Sequence, residues 1–419
     1  MTYCYKFGTI NMYSFLISPF RDNNDETGDK NLKGGMNMKF TKKIFWAFAK
    51  VALTLNVLRR WTGAMTDPRY DEISKQEFNC MFAYLLSLEV EHRGEVVNFV
   101  RLIKCAIYRA YQKAFLFYDT PEHIYREICK CGNIPYEKVM RETTHKIIAR
   151  EAGEDFACWV EECVGSFEQS IYAAATKLVT FFEVKENQLE FNGDYADTLL
   201  ATHKALEGFD WISGFKEMYT SKDYLAVFKE TSKLRNQNRW ASYAYRIEAA
   251  VSGHHYDTAV FSFFNAYNMY GEEEAVRQFF IGIFHDIPEA YTRDIPSPVK
   301  DMICGFRKAS EEYERQQMEK HFYPLLPEHI TPKVRAVALE ELPEEIKKLG
   351  KVGDYLSAAS EIHRQIPDKR FSAAMYGHTQ RFEDPNGLKL QISEEAYEFF
   401  KELEAEVYQV FKEPYPNVK

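Results

Sequence analysis

The sequence predicts an all-α protein. Nearly every convincing segment places apolar residues at helical spacing, and glycine or proline interrupts these segments at their ends. One stretch near Val184–Phe191 reads instead as a strand, with an Asn-Gly pair after it. With 419 residues the chain is long enough for about two domains, and 46% hydrophobic and 27% charged residues are ordinary for a globular protein.

The N-terminal segment is expected to lie outside the folded core. Residues 1–38 lack helical or strand periodicity and are predicted to be a disordered leader, with Met36 or Met38 as an alternative start. The apolar run that follows Lys43 resembles a signal peptide, but Lys50 interrupts it and it is too short to span a membrane. We interpret the run as a core helix and expect a cytoplasmic protein without a membrane anchor.

Helix signals are clearest in the second half. Residues 252–270 have Ser252 as a predicted N-cap and stop at Gly271. Three glutamates, 272–274, favour the start of the next helix, which ends near His285-Asp286. A proline-rich turn follows, then a helix from about Pro343 that carries Asp354, and a last helix that begins after Ser393 and ends before Pro414.

An internal repeat relates the two halves. Arg60-Trp61 recurs as Arg239-Trp240, each pair following an amphipathic segment, and Tyr108-Arg109-Ala110 aligns with Phe284-His285-Asp286. Asp119-Thr-Pro likewise corresponds to Asp294-Ile-Pro. The sequence therefore predicts a leader over 1–38, an N-terminal copy over 39–190, a linker over 191–215 and a C-terminal domain over 216–419.

The second copy carries residues suited to a metal, and the first does not. His254, His285, Asp286 and Asp354 form a mixed imidazole and carboxylate set of the kind that binds one divalent transition metal, such as Mn²⁺ or Co²⁺. In the first copy the corresponding residues are Gln76, Arg109, Ala110 and Lys177, and Lys113 replaces Glu289. Arg and protonated Lys offer no lone pair to a metal. We expect residues 39–190 to be a degenerate, metal-free copy.

A metal held by such residues activates water and neutralises phosphate charge, which points to phosphoester hydrolysis. An alternative is an N-capping or salt-bridged cluster, because adjacent helical residues point about 100° apart and converge on one ion only near a helix end. For Glu289 the structural alternative is an ion pair with Arg293 or Lys300. For Arg239 and Trp240 it is capping and packing, since the same pair survives in the first copy.

The second half resembles the HD-domain phosphohydrolases, and among them the YfbR-type 5′-deoxynucleotidases. The resemblance covers about residues 216–415 and rests on three sequence features: NRW at 238–240, then His254, then HDIPEAYTRDIPSPVK from His285. The last string matches the family's pattern almost position for position, and KVGDYLSAA around Asp354 is similar to the segment of the final aspartate ligand. It implies tandem HD-like helical bundles, with the C-terminal one intact.

The resemblance also implies roles for matching residues. His254, His285, Asp286 and Asp354 would bind the metal, and Glu289 would position the nucleophilic water or move its proton. Those expected to bind the substrate are Arg239, Trp240, Asp294, Ile295, Pro296 and Ser297. One departure concerns Gly253-His254-His255, where the family has Glu-His-Ser, so His255 could compete as a ligand or lie behind it.

The implied reaction is hydrolysis of nucleoside 5′-monophosphates, with deoxyribonucleotides expected. Two alternatives remain: another phosphoester substrate, such as a nucleoside triphosphate or signalling nucleotide, and a nucleotide-binding regulatory protein with a vestigial metal site. The net charge of −9 argues against nonspecific nucleic-acid binding. Because members of this family resemble one another in forming homodimers, we expect the two halves to pack as an intramolecular pseudo-dimer; further dimerisation stays open.

Overall fold

The computed structural model describes residues 38–61, 70–118, 120–191, 195–240, 247–295, 297–338, 342–365 and 369–411, and these are helical with connecting turns and no strand. This confirms the predicted all-α class. The helices of the first half and its continuation are α1 Lys42–Val57, α2 Glu72–His92, α3 Phe99–Phe115, α4 Glu122–Cys131, α5 Tyr136–Ala152, α6 Glu154–Glu161, α7 Phe167–Phe191, α8 Ala196–Glu207 and α9 Phe215–Thr220.

The second half of the chain also consists of helices that differ widely in length. They are α10 Lys222–Ser232, α11 Val251–Tyr270, α12 Glu272–Phe284, α13 Glu289–Thr292, α14 Ser297–Met302, α15 Phe306–Gln317, α16 Thr331–Arg335, α17 Glu344–Arg364, α18 Lys369–Glu383 and α19 Glu394–Phe411. The predicted helices after Gly271, Pro343 and Ser393 are confirmed as α12, α17 and α19. In the described part of the chain, no helix combines the length and apolar character that crossing a membrane requires.

Helices α2 and α11 form the centre of the molecule and pack against each other. Almost every residue of both is buried, so neither has a solvent-facing side. One hydrophobic core runs from Phe40 to Val407 through both halves, and Phe40 stacks on Phe264 with ring centroids 4.6 Å apart. The two halves therefore share a core and a direct interface.

Two positions on the central helices meet their own counterparts. Ser252 Oγ of α11 donates to Ser74 Oγ of α2 at 2.8 Å, and His255 Nδ1 lies 3.7 Å from Glu77 Oε1. Each pair is separated by 178 residues, the offset that the sequence repeat predicts. This is the geometry of residues that lie on a two-fold axis.

The two Arg-Trp pairs also share one backbone conformation. Trp61 and Trp240 have φ of 58° and 59°, a left-handed conformation that is uncommon for bulky residues. The preceding residues form matching bridges, Arg59 with Asp71 and Asn238 with Ala250. These parallels support the internal repeat, while the degenerate copy and its boundaries stay predictions. Asp119 and residues 1–37, which also entered those predictions, lie outside the described residues.

Two local expectations were wrong, and a third segment is more structured than expected. Val184–Phe191 is not a strand, because it completes α7. This helix packs against α2 just before the segment, where the ring centroids of Phe182 and Phe82 lie 5.6 Å apart. Ser252 is not the N-cap of α11, which begins at Val251 after Ala250. The Val251 N–H already donates to Gln237 O at 3.0 Å, so no side-chain cap is required. The expected linker over 191–215 contains α8.

Candidate metal and phosphate site

Three helices of the second half approach one another at glycines, and the candidate site lies where they meet. A Cβ on Gly282 of α12 would lie 2.5 Å from Ala259 Cα of α11, and one on Gly353 of α17 would lie 2.8 Å from Thr258 O. Only glycine permits such close backbone contact. The three predicted ligand segments are thereby brought to one place.

The four predicted metal ligands come together there. Ligand atoms of His254, His285 and Asp286 lie within 4.8 Å of one another, which is a spacing that one metal ion can bridge. Asp354 joins them through its Oδ1, 3.0 Å from His254 Nε2. His285 Nε2 lies 2.9 Å from Asp286 Oδ2, yet it is buried without a hydrogen-bond partner in the described structure.

The histidines are oriented by their other ring nitrogens. His285 follows the last residue of α12, and its Nδ1 donates to Gly282 O at 2.8 Å, which leaves the lone pair on Nε2. His254 Nδ1 lies 2.8 Å from Ser357 Oγ and 3.5 Å from Glu361 Oε1, so its Nε2 faces Asp354. Each ring thus turns Nε2 toward a carboxylate, His254 toward Asp354 and His285 toward Asp286, an arrangement that fits a divalent metal.

The electrostatics also fit a bound cation. Burial and Arg239 oppose protonation of His254, but the hydrogen bonds to Asp354 and Glu361 outweigh them and raise the pKa of His254 to about 9. Without a metal, the carboxylates thus draw a proton onto a buried imidazole. Burial opposes ionisation of Asp286, yet His285 and Lys351 hold the pKa of Asp286 well below its usual range. Asp286 is therefore ionised, as a carboxylate ligand of a metal must be.

Glu289 lies beside this set on the one-turn helix α13. Its side chain is buried, and Oε2 has no hydrogen-bond partner in the described residues. Burial, together with the nearby charges of Asp286 and Asp294, raises the pKa of Glu289 well above its usual range. The alternative ion pair with Arg293 or Lys300 is not among the contacts described, and Lys300 pairs with Glu314 at 3.4 Å instead.

Arg239 and Trp240 are held by a residue that the sequence reasoning missed. Glu361 Oε2 accepts from Arg239 Nε at 3.1 Å and from Trp240 Nε1 at 2.8 Å, while Oε1 faces His254. In the first half, Glu183 Oε2 accepts from Arg60 Nη2 at 2.7 Å and from Trp61 Nε1 at 3.2 Å. Glu361 follows Asp354 by seven residues on α17, and that two-turn spacing was the available signal.

The predicted substrate loop is described only in part. Asp294 and Ile295 are partly buried, and Asp294 is close enough to affect the pKa of Arg239. Pro296 lies outside the described residues, and so does the side chain of Ser297, whose backbone begins α14. Lys351, also missed, lines the pocket with His285 and places Nζ 3.1 Å from Asp354 Oδ2. Lys351 precedes Asp354 by three residues on α17, and residues at this spacing lie on the same face of a helix, which was the available sequence signal.

His255 does not join the metal group. It is buried behind the ligands, with its ring centroid 4.9 Å from that of His285 and its Nδ1 3.7 Å from Glu77 Oε1. Burial holds the pKa of His255 well below its usual range. A second metal-like group, His145 with Glu154 and Cys158, lies partly exposed on α5 and α6, where His145 already contacts two glutamates.

A comparison with known protein families agrees with this geometry. Residues 226–391 match the 5′-deoxynucleotidase YfbR-like family. The match includes His254, His285, Asp286, Glu289 and Asp354, and it confirms the resemblance of the C-terminal half to YfbR-type HD-domain proteins. It supports a phosphohydrolase at the level of the YfbR-like family, and it does not extend over the first half. No curated protein matches the chain.

Proposed function

We propose that the C-terminal half hydrolyses nucleoside 5′-monophosphates, with deoxyribonucleotides as the expected substrates, to nucleoside and phosphate. The observation that carries the proposal is the convergence of His254, His285 and Asp286 within 4.8 Å, with Asp354 3.0 Å from His254. These four residues would hold one divalent metal. Such an ion, when bound, supplies a water of lowered pKa and offsets phosphate charge.

Arg239 is placed to orient the phosphate. Its guanidinium is largely buried, fixed by Glu361, and within electrostatic reach of Asp286, Asp294 and Asp354. A fixed guanidinium matches the geometry of phosphate oxygens and costs no reorganisation as charge develops in the transition state. Lys351, which is partly exposed, would add a second positive charge beside Asp354.

Glu289 would move the proton. Attack of the water oxygen on phosphorus forms one P–O bond while the bond to the 5′ oxygen breaks, so a proton must pass from the water to that oxygen. Glu289 is buried beside Asp286, has an oxygen without a partner in the described residues, and has a raised pKa. A carboxyl group whose pKa is raised holds a proton more readily than an ordinary one and can act as a general acid or base.

We also propose that the first half takes the place of a partner subunit. Support comes from the contacts between counterparts, Ser74 with Ser252 and Glu77 with His255, and from the single core. A C2 interface pairs each patch with itself, and the central helices do this within one chain. The cytoplasmic location and the absence of nucleic-acid partners stay predictions.

The test is phosphate release from ribo- and deoxyribonucleoside 5′-monophosphates with Mn²⁺, Co²⁺ or Mg²⁺, beside Asp286→Ala. We expect metal-dependent release, highest for deoxyribonucleotides, that chelation and Asp286→Ala both abolish. Release that survives in Asp286→Ala would overturn the mechanism. No release from the panel, with metal bound, would overturn the substrate assignment and favour another phosphoester or a regulatory protein.

A further inference from the structure

The first half has its own cluster of charged side chains, partly buried, in the place that the metal site occupies in the second half. Arg60 lies at the position of Arg239, Arg109 at that of His285, and Lys113 at that of Glu289. Lys177 corresponds to Asp354, and Lys75 to Gly253. Two of the four candidate ligand positions and the position of Glu289 thus carry positive side chains beside a retained arginine.

The carboxylates of the cluster are engaged by arginine. Arg60 Nη1 contacts Glu72 Oε2 at 3.0 Å and Nη2 contacts Glu183 Oε2 at 2.7 Å, while Arg109 Nη2 contacts Glu122 Oε2. In the described residues the cluster has three carboxylates and five cations, besides Arg126, which pairs with Glu122 at 2.9 Å. The carboxylates are Glu72, Glu122 and Glu183; the cations are Arg60, Lys75, Arg109, Lys113 and Lys177.

Among the described contacts, the lysines make few with carboxylates. Lys113 Nζ lies 3.9 Å from Glu72 Oε1, a nitrogen–oxygen distance longer than a hydrogen bond, and the hydrogen bond described for Lys75 Nζ goes to the neutral Thr180 Oγ1 at 2.7 Å. Lys75 is only 6% exposed. Arg60 Nε is also buried, and it has no hydrogen-bond partner in the described residues.

The titration of the lysines differs from that of the arginines, since the neighbouring carboxylates raise the pKa of Arg60 and of Arg109 in spite of burial. Burial lowers the pKa of Lys75 well below its usual value, and the charge of Arg60 adds to the effect. Burial also lowers the pKa of Lys113, against the pull of Glu72. Buried cations at such density are costly unless an anion compensates them.

We propose that the first half binds the phosphate group of a small molecule between Arg60, Lys75, Arg109, Lys113 and Lys177, without a metal and without hydrolysing it. A phosphate monoester suits the cluster because it brings two negative charges and several acceptor oxygens to donors that have few acceptors. Hydrolysis is not expected, since Gln76, Arg109, Ala110 and Lys177 replace the four candidate ligands. The proposal does not depend on catalysis in the second half.

The experiment measures binding of inorganic phosphate by calorimetry to full-length Asp286→Ala protein in a chelating buffer. These conditions remove the contribution of the candidate metal site. We expect saturable binding that Lys113→Met and Lys75→Met each weaken about tenfold or more. A nucleoside 5′-monophosphate forms the second arm: tighter binding than phosphate identifies a nucleotide as the ligand, and equal affinity identifies free phosphate.

Folding is controlled within the same series. Methionine keeps the length of the lysine chain, and removal of a poorly paired cation is expected to leave the melting temperature equal or higher without ligand. Lys177→Met changes an exposed residue and provides a further variant that the fold tolerates. Phosphate that binds only when metal is present, or that binds equally well to all three lysine variants, would overturn the proposal.

Discussion

Ser74 and Ser252 are counterparts in the two halves, and their hydroxyl groups are hydrogen-bonded to each other at 2.8 Å. Both are fully buried where α2 crosses α11.

A double-mutant cycle measures the contact between Ser74 and Ser252. Each single change to alanine leaves one buried hydroxyl without its partner and is expected to cost about 1–3 kcal/mol of unfolding free energy in urea. The double variant should cost about 1 kcal/mol less than the sum. Strict additivity would mean that the hydroxyls do not stabilise the interface.

Glu289→Gln should separate proton transfer from metal binding. The amide keeps the shape of the side chain but cannot exchange a proton, so kcat for phosphate release is expected to fall about 100-fold or more. Metal affinity, measured by calorimetry, should stay near that of the unmodified protein. Glu319→Gln, which changes a glutamate paired with Arg335 at the surface, is the control and should not alter kcat. Equal loss of metal binding and kcat would instead make Glu289 a ligand.

Gly353→Ala tests whether close helix packing sets the ligand geometry. The new Cβ would lie 1.9 Å from Ser262 Oγ and 2.8 Å from Thr258 O, so α17 must move away from α11 and carry Asp354 with it. We expect a loss of about 1–3 kcal/mol in stability and about a tenfold loss in metal affinity.

Gly377→Ala is the matched control on α18. Its Cβ meets nothing within 4 Å, so helix propensity alone should raise stability by about 0.5–1 kcal/mol. Both variants are compared by urea unfolding and by calorimetric titration with Mn²⁺. Unchanged metal affinity in Gly353→Ala would show that Asp354 does not depend on this contact.

Asp71→Asn should stabilise the protein more at high pH than at low pH. Asp71 caps α2 by accepting from Ser74 N at 2.8 Å, and burial raises the pKa of its carboxyl from 3.8 to about 6. The folded protein thus binds more protons than the unfolded chain between these values, so the carboxyl lowers stability as pH rises through 6. Asparagine retains the cap and removes the charge.

The stabilisation by Asp71→Asn is expected to grow by about 1 kcal/mol between pH 5 and pH 8, as measured by urea unfolding. Asp223→Asn changes an exposed aspartate in the first turn of α10 and should show no such growth. A gain that is the same at both pH values would mean that Asp71 is not desolvated in the folded state.

The sequence predicted those parts of the structure whose causes are local. Apolar spacing and the acidic turn at Glu272 located α12, and the string that begins at His285 placed the candidate ligands. Glu361 could not be found in this way, because one glutamate among the polar residues of α17 becomes distinctive only when Arg239 and Trp240 fold against it. Val184–Phe191 was misread because its contacts come from distant parts of the chain, which no local pattern shows: Glu186 accepts from Tyr70, Ser232 and Arg235.

The contact of Glu77 with His255 has a consequence for how this protein can vary. Two identical subunits would place the same side chain on both sides of the axis, either two acids or two imidazoles. Here one acid faces one imidazole, 3.7 Å apart. Identical subunits cannot form such a pair at a two-fold axis, whereas one chain that contains both halves can. Under the proposed pseudo-dimer, a change at Glu77 would alter the surroundings of the candidate metal site, since His255 follows His254 and its ring centroid lies 4.9 Å from that of His285.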